Sequence, residues 1–299
     1  MSVITTARAE QAVRRRFLTT KAAQVCISKA IAYMLLTLGG AFMMVPFVWL
    51  ISASLKEPQY IYVFPPQWIP DPVRWQNYGE VLFKLPFLLY TRNTLSILIP
   101  AMVGQVLTST MAGYAFARLR WPLRDQIFAV LLATMMLPWA VTLIPVYVFF
   151  KELRWIGTFL PLIVPFWFGG GAFNIFLLRQ FFLTIPMELE DAARVDGASA
   201  LTIFSRIMVP LARPAITVVA IFSFLHHWRD FLGPLIYLNK ANMRTLALGV
   251  NALQGLEWGR DTTHLVMAAS VLMILPVIVL FFGAQRVFVQ GIALTGIKG

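Results

Sequence analysis

Few residues in this 299-residue chain have the types and spacing for chemistry, and they fall in three places. The first is the run His226-His227-Trp228-Arg229-Asp230. Zinc hydrolysis from a helix needs two histidines on one face with a glutamate between them, as in H-E-x-x-H. Adjacent histidines project to different faces, so this pair does not form that site. The second is Cys26, the one cysteine. One thiol makes no internal disulfide and has no partner spacing for a structural metal. The third starts at Glu188 and reads ELEDAARVDGASALTIFSRIMVPLARP, a knot of acids, paired alanines, a glycine and two prolines. No G-x-x-x-x-G-K-[ST] phosphate loop occurs anywhere, so the chain is not expected to hydrolyse ATP itself.

The elements that must position these residues are apolar. Hydrophobic residues make up 59% of the chain and charged residues 13%, about half the usual share of a soluble domain. The expected fold is therefore all-α and integral to a membrane. Crossing about 30 Å of hydrocarbon takes roughly 20 helical residues. Five runs free of charge reach that length: Ala30–Leu55, Asn93–Ala117, Gln126–Phe150, Trp155–Leu178 and Thr262–Gln285. A sixth, Pro214–Asn239, is interrupted only by Arg229 and Asp230, and its expected span runs from Pro210 to about Phe231. These runs lack the alternation of transmembrane strands. The first is too long for a cleaved signal core and reads as a retained span.

Charge sets the orientation. If six helices alternate, the N-terminal segment and the loops after the second, fourth and sixth spans share one side. That side holds 15 of the 25 basic residues and 6 of the 13 acidic ones. Lysine and arginine near span ends mark the cytoplasmic face, so both termini are expected in the cytoplasm. The net charge of +12 thus orients the chain and calls for lipid, with no nucleic acid as partner. Pro46, Pro100, Pro138, Pro145, Pro161, Pro165 and Pro276 fall inside spans, and FGGGAF at Phe168–Phe173 adds a break point. Such interruptions accompany a transport path and equally serve ordinary helix packing.

The acidic stretch lies between the fourth and fifth spans. Pro186 suits a first helical turn, and Glu188, Glu190 and Asp191 complement the helix dipole. Ile185, Leu189, Ala192 and Ala193 fall near one face. Gly197 is the expected C-cap, and Ser199 caps a second short helix with Leu201, Phe204 and Ile207 on one side. Two short helices joined at a glycine result. Small residues edged with charge suit a groove on a soluble partner, and a folded surface loop is the plainer reading.

This stretch resembles the EAA loop of permease subunits in bacterial ABC importers. That pattern is Glu-Ala-Ala, three residues, Gly, nine residues, Ile-x-Leu-Pro. Here it reads Asp191-Ala192-Ala193, Gly197, Ile207-Met208-Val209-Pro210, with Asp for Glu and Val for Leu. SLKEPQYIYVFPPQWIP after the first span, HHWRDFLGPLIYLN and the final QRVFVQGIALTGIKG are similar to the sugar-importer branch, close to the maltose-type inner permease.

The resemblance implies a type I ABC importer permease fold. Residues 1–29 would be a basic cytoplasmic tail, 30–285 the six-helix domain and 286–299 a C-terminal tail. The coupling loop would span 184–210, with loops 56–91 and 240–261 outside. It implies a second permease, most simply a different chain, an ATPase dimer that holds the ATP and Mg, and an extracytoplasmic sugar-binding protein. No cofactor or metal is expected on this chain. The residues implied to couple to the ATPase are Glu190, Asp191, Ala192, Ala193, Asp196, Gly197, Ile207 and Pro210. A C-terminal contact is implied for Thr295, Gly296, Ile297, Lys298 and Gly299.

Polar and aromatic side chains inside spans are the candidates for contact with sugar hydroxyls and C–H faces: Asn93, Trp139, Thr142, Asn174 and Trp228. Interfacial anchoring and interhelical bonding would use the same residues. Arg229 and Asp230 either shape the outer end of the path or satisfy one another and lipid headgroups. A self-sufficient ion-coupled carrier is the alternative function. Such carriers show internal repeats and intramembrane charges, and this chain shows no evident repeat and few such charges.

Overall fold

The computed structural model describes residues 2–254 and 262–296, and the described residues form helices, turns and loops without a strand. Among the described residues, four helices are long and apolar enough to cross a membrane, and up to six spans result if two sharply bent pairs count as one each.

Helix α1 (Ser2–Ser54) is continuous. The sequence suggested a tail ending near Ala30, but no glycine or proline interrupts the segment before Gly39, and nothing else there stops a helix. At 1.5 Å per residue, 53 residues extend about 80 Å, far more than a bilayer core. Within the described chain α1 packs mainly on the last helix; residues 24–48 are exposed, and its end buries Ser52, Ala53 and Ser54.

Helix α2 (Phe87–Arg118) is the central mast. Small residues let neighbours approach it. A Cβ on Gly104 would lie 2.5 Å from the Trp167 ring, and one on Gly113 would lie 2.8 Å from Leu178 Cβ. Close approach of this kind replaces the hydrophobic driving force that lipid does not supply.

The third expected span, Gln126–Phe150, is two helices, α3 (Arg124–Thr134) and α4 (Trp139–Glu152), bent by 100°. The break falls before Pro138, whose ring disfavours the helical conformation of the preceding residue. The fourth span is also interrupted. Helix α5 (Leu160–Ile163) runs into a 3₁₀ turn at Val164–Trp167. Three consecutive glycines, Gly169–Gly171, then take positive φ before α6 (Ala172–Thr184).

Helix α7 (Glu188–Val195), α8 (Ala200–Ile203), a π-turn at Phe204–Met208 and the turn Val209–Leu211 make the connection to α9 (Arg213–Trp228). The segment Ala200–Leu211 meets α9 at 77°. The fifth span thus begins three residues after Pro210, and its 16 residues cover only about 24 Å. Helix α10 (Thr263–Gly296) carries the sixth span and continues through most of the segment expected as a separate tail.

Among the described residues, two larger apolar cores lie toward opposite ends, with two smaller clusters around Leu162 and Phe128. One larger core gathers Tyr90, Leu98, Trp228, Leu246 and Val266 where α2 begins. The other gathers Tyr114, Leu178, Phe182, Ala193, Ile203, Met208 and Val219 where α2 ends. The acidic stretch therefore belongs to the end of the bundle opposite the segments 56–91 and 240–254.

Candidate functional site

Helix α7 ends as its sequence suggests. Gly197 has φ +79°, and its N–H donates to Arg194 O (3.0 Å) while Ala198 N–H donates to Ala193 O (2.9 Å). This is the Schellman pair, which needs a left-handed residue after the C-cap. Ser199 then caps α8, its Oγ accepting from Thr202 N–H at 3.2 Å.

The second helix differs from expectation. Leu201 is 72% exposed, while the buried side chains are Ile203 and Met208. The π-turn at Phe204–Met208, with its i→i+5 hydrogen bonding, brings Met208 into the same core as Ile203 five positions before it. Phe204 and Ile207 pack at the margin of that core, and Pro210 is half-buried.

Glu190 also differs. The resemblance implies that it contacts the ATPase, yet within this chain it is fully buried. Its Oε1 lies 3.4 Å from Arg118 Nε, and Oε2 lies 3.5 Å from Arg194 Nη2. Arg118, the last residue of α2, donates to Phe182 O at 2.5 Å and also to Ile185 O and Met187 Sδ. An acid in the first turn reads as surface from sequence, because the arginine that buries it is 72 positions away. Ala193 is buried too. The exposed residues of α7 are Glu188, Leu189, Asp191, Ala192, Arg194 and Val195, followed by Asp196 and Gly197. Apolar side chains, acids and one arginine share this surface. Beside it lies an apolar groove of about 560 Å³ between α2, Gly169 and α8, lined by Met111, Ala115, Leu119, Leu201 and Phe204.

The residues considered for a polar path are dispersed. Asn93 Nδ2 donates to Asn242 O (2.8 Å) and Arg244 O (2.9 Å), pinning a loop to α2. Trp228 is buried, stacks on Phe224 and donates Nε1–H to Met273 O at 3.0 Å. Those donors are committed inside the bundle. Asn174 is buried and returns its amide to Gly170 O at 2.9 Å. Trp139 starts α4 and is 56% exposed, and Thr142 donates back to Trp139 O. Asp230 accepts from Gly233 N–H (3.1 Å) at the turn into the short helix Leu232–Tyr237. His226 is exposed and His227 buried, as adjacent helical positions require.

A polar cluster that the sequence reading did not single out lies in mid-span. Gln105 Oε1 accepts from Ser223 Oγ (2.5 Å) and faces His227 Nε2 (3.3 Å), and Phe166 meets His227 edge-on. The signal was present: Ser223 and His227 stand four apart, and Gln105 and Ser109 do the same. At the opposite end Lys56 is buried over the Trp49 ring and donates to Gln67 O, and desolvation lowers its pKa from the usual lysine value. Among the described residues no three His, Cys, Asp or Glu side chains converge as metal ligands. Of the C-terminal group, Thr295 and Gly296 fall at the end of α10, and Ile297, Lys298 and Gly299 lie outside the described residues.

A family described as "Binding-protein-dependent transport system inner membrane component" matches residues 105–294. Over 223 residues, 74% of each chain, the sequence is 38% identical to the osmoprotective compounds uptake permease protein GgtD of Synechocystis sp.. It is 30% identical over 267 residues to the sn-glycerol-3-phosphate transport system permease protein UgpE of Yersinia pestis, covering 87% of this chain and 94% of that one. Among solved structures, a chain of a bacterial ABC transporter that imports the acidic polysaccharide alginate shares the fold, with a TM-score of 0.77 at 22% identity, over 87% of this chain and 96% of that one.

Proposed function

The chain belongs to the family of binding-protein-dependent transport system inner membrane components, and from that premise we propose that it forms half of the translocation path of an ATP-driven sugar importer and docks on an ATPase through α7. A carrier that works alone by ion coupling does not match a family defined by dependence on a binding protein. The observation that carries the docking reading is the shape of α7. Leu189, Asp191, Ala192 and Val195 face outward, and the helix is held at its back by Arg118 and closed by Gly197. A close-packing surface with charges at its edge takes a complementary groove in one orientation.

In this reading α7 and both termini face the cytoplasm, in line with the basic bias of that side. The ATPase dimer beneath carries ATP and Mg. A second permease completes the path, and an external binding protein delivers substrate to the end formed by residues 56–91 and 240–254. Closure of the ATPase dimer moves the docked helix, and the bundle exchanges one packing for another. Ile207 and Pro210 set the angle at which the loop enters α9. The end of the chain, Thr295–Gly299, adds a second ATPase contact. The names of these relatives mention osmoprotective compounds and glycerol 3-phosphate, and the alginate importer handles a polysaccharide. Glycerol 3-phosphate and a polysaccharide both carry hydroxyl groups, and a sugar or polyol derivative is the substrate class proposed here.

Purification of the tagged chain from its native membrane in mild detergent tests this reading. Mass spectrometry should find an ATPase with a phosphate loop and a second permease. Recovery of the chain alone, transporting without ATP, would overturn it.

A further inference from the structure

We propose that Arg118 is a positioning residue that transmits movement of the docked helix into the bundle, and that its buried pairing with Glu190 is the joint. The inference rests on the docking role of α7. Arg118 ends α2, and its guanidinium is built into the bundle: Nη2 donates to Phe182 O and Ile185 O at the end of α6, and Nη1 approaches Met187 Sδ. Glu190 rides on α7. The two side chains are 2% and 0% exposed, with Nε and Oε1 3.4 Å apart.

Oε1 accepts no hydrogen bond, so the link is an ion pair whose guanidinium donors are spent on carbonyl oxygens of α6. Seclusion from water strengthens attraction between opposite charges and leaves either charge costly without its partner. A displacement of α7 therefore draws α2 and α6 with it. Apolar contacts of Ala193, Ile203 and Met208 hold the same loop to the bundle, but they can slide, whereas an ion pair resists separation in a defined direction. Glu190 itself presents nothing to a partner on the exposed face.

The test uses the complete transporter, with its second permease and ATPase, in proteoliposomes. Glu190→Gln should retain the ATPase during purification and keep basal ATP hydrolysis. Stimulation of hydrolysis by loaded binding protein, and uptake with it, should fall about tenfold, within the range of coupling free energies between sites. Arg118→Lys, which keeps the charge but loses the fork, should show an intermediate loss. Loss of the ATPase from the Glu190→Gln complex would place Glu190 on the docking surface and overturn the joint. Wild-type stimulation would overturn it as well. If the single variant does not insert, Arg118→Met with Glu190→Leu removes the pair without stranding a charge. That variant should fold and remain uncoupled, and restored coupling would overturn the proposal. Asp191→Arg serves as the separate control: full coupling in that variant would refute the docking role itself.

Discussion

At the scale of single residues, neighbouring positions in one motif do opposite jobs. Asp191 and Ala192 face outward, whereas Glu190 and Ala193 are turned into the bundle. Asp191→Arg should therefore insert normally and lose uptake, which a transport assay with a membrane-insertion control will show. Gly197 is constrained by conformation alone, since nothing lies within 4 Å of a Cβ built on it and its φ is +79°. Gly197→Val should cost about 1–2 kcal/mol, the penalty of a left-handed backbone for a side chain. Thermal unfolding in detergent would measure it, together with a loss of coupling as α7 changes its exit angle. The spacing of alanine, glycine and serine made this part of the site legible. The burial of Glu190 was not legible, because local periodicity carries no information about Arg118.

At the scale of elements, interruptions define the molecule as much as the spans do. Gly170 has φ +62°, and a Cβ there would lie 2.5 Å from Gln105 O and 2.7 Å from Ser109 Cβ. Gly170→Ala combines backbone strain with a clash against the mast. Gly169→Ala shares the backbone strain, at φ +106°, but its Cβ meets nothing within 4 Å, so the clash should lower the folded yield of Gly170→Ala further. Size-exclusion profiles of the two variants make the comparison. Gln105→Leu removes the acceptor shared by Ser223 and His227. Leaving buried donors unmade costs about 1–3 kcal/mol, so this variant should unfold at lower temperature while still binding the ATPase. The prolines announced that helices would bend. The angles of 100° and 77° go with packing that no local pattern contains: α3 lies on α2 and α6, whereas Tyr147 and Phe150 of α4 meet Tyr237.

At the scale of the whole molecule, the two ends carry different machinery. Val195 at one end is 88% exposed and Phe64 at the other is 91% exposed. In a Cys26→Ser background, Val195→Cys should react with a membrane-impermeant maleimide only when the cytoplasmic face is open, and Phe64→Cys from the outside. Labelling of both from one side would refute the proposed orientation. The long, exposed α1 leaves apolar surface for lipid.

Sequence alone determined the membrane class, the number of apolar runs, the capped turn at Gly197 and the spacing that marks the family. Each of these is written in composition or in residues fewer than about 20 apart, where helical period and backbone preference act directly. Tertiary structure decided which members of the acidic motif face outward, which polar side chains are consumed in holding helices together, and where spans break. Those outcomes depend on partners distant in the chain, such as Arg118 for Glu190, Asn242 for Asn93 and Met273 for Trp228. In a bundle where lipid supplies no hydrophobic force between helices, such long-range bonds and close packing at small residues select the arrangement.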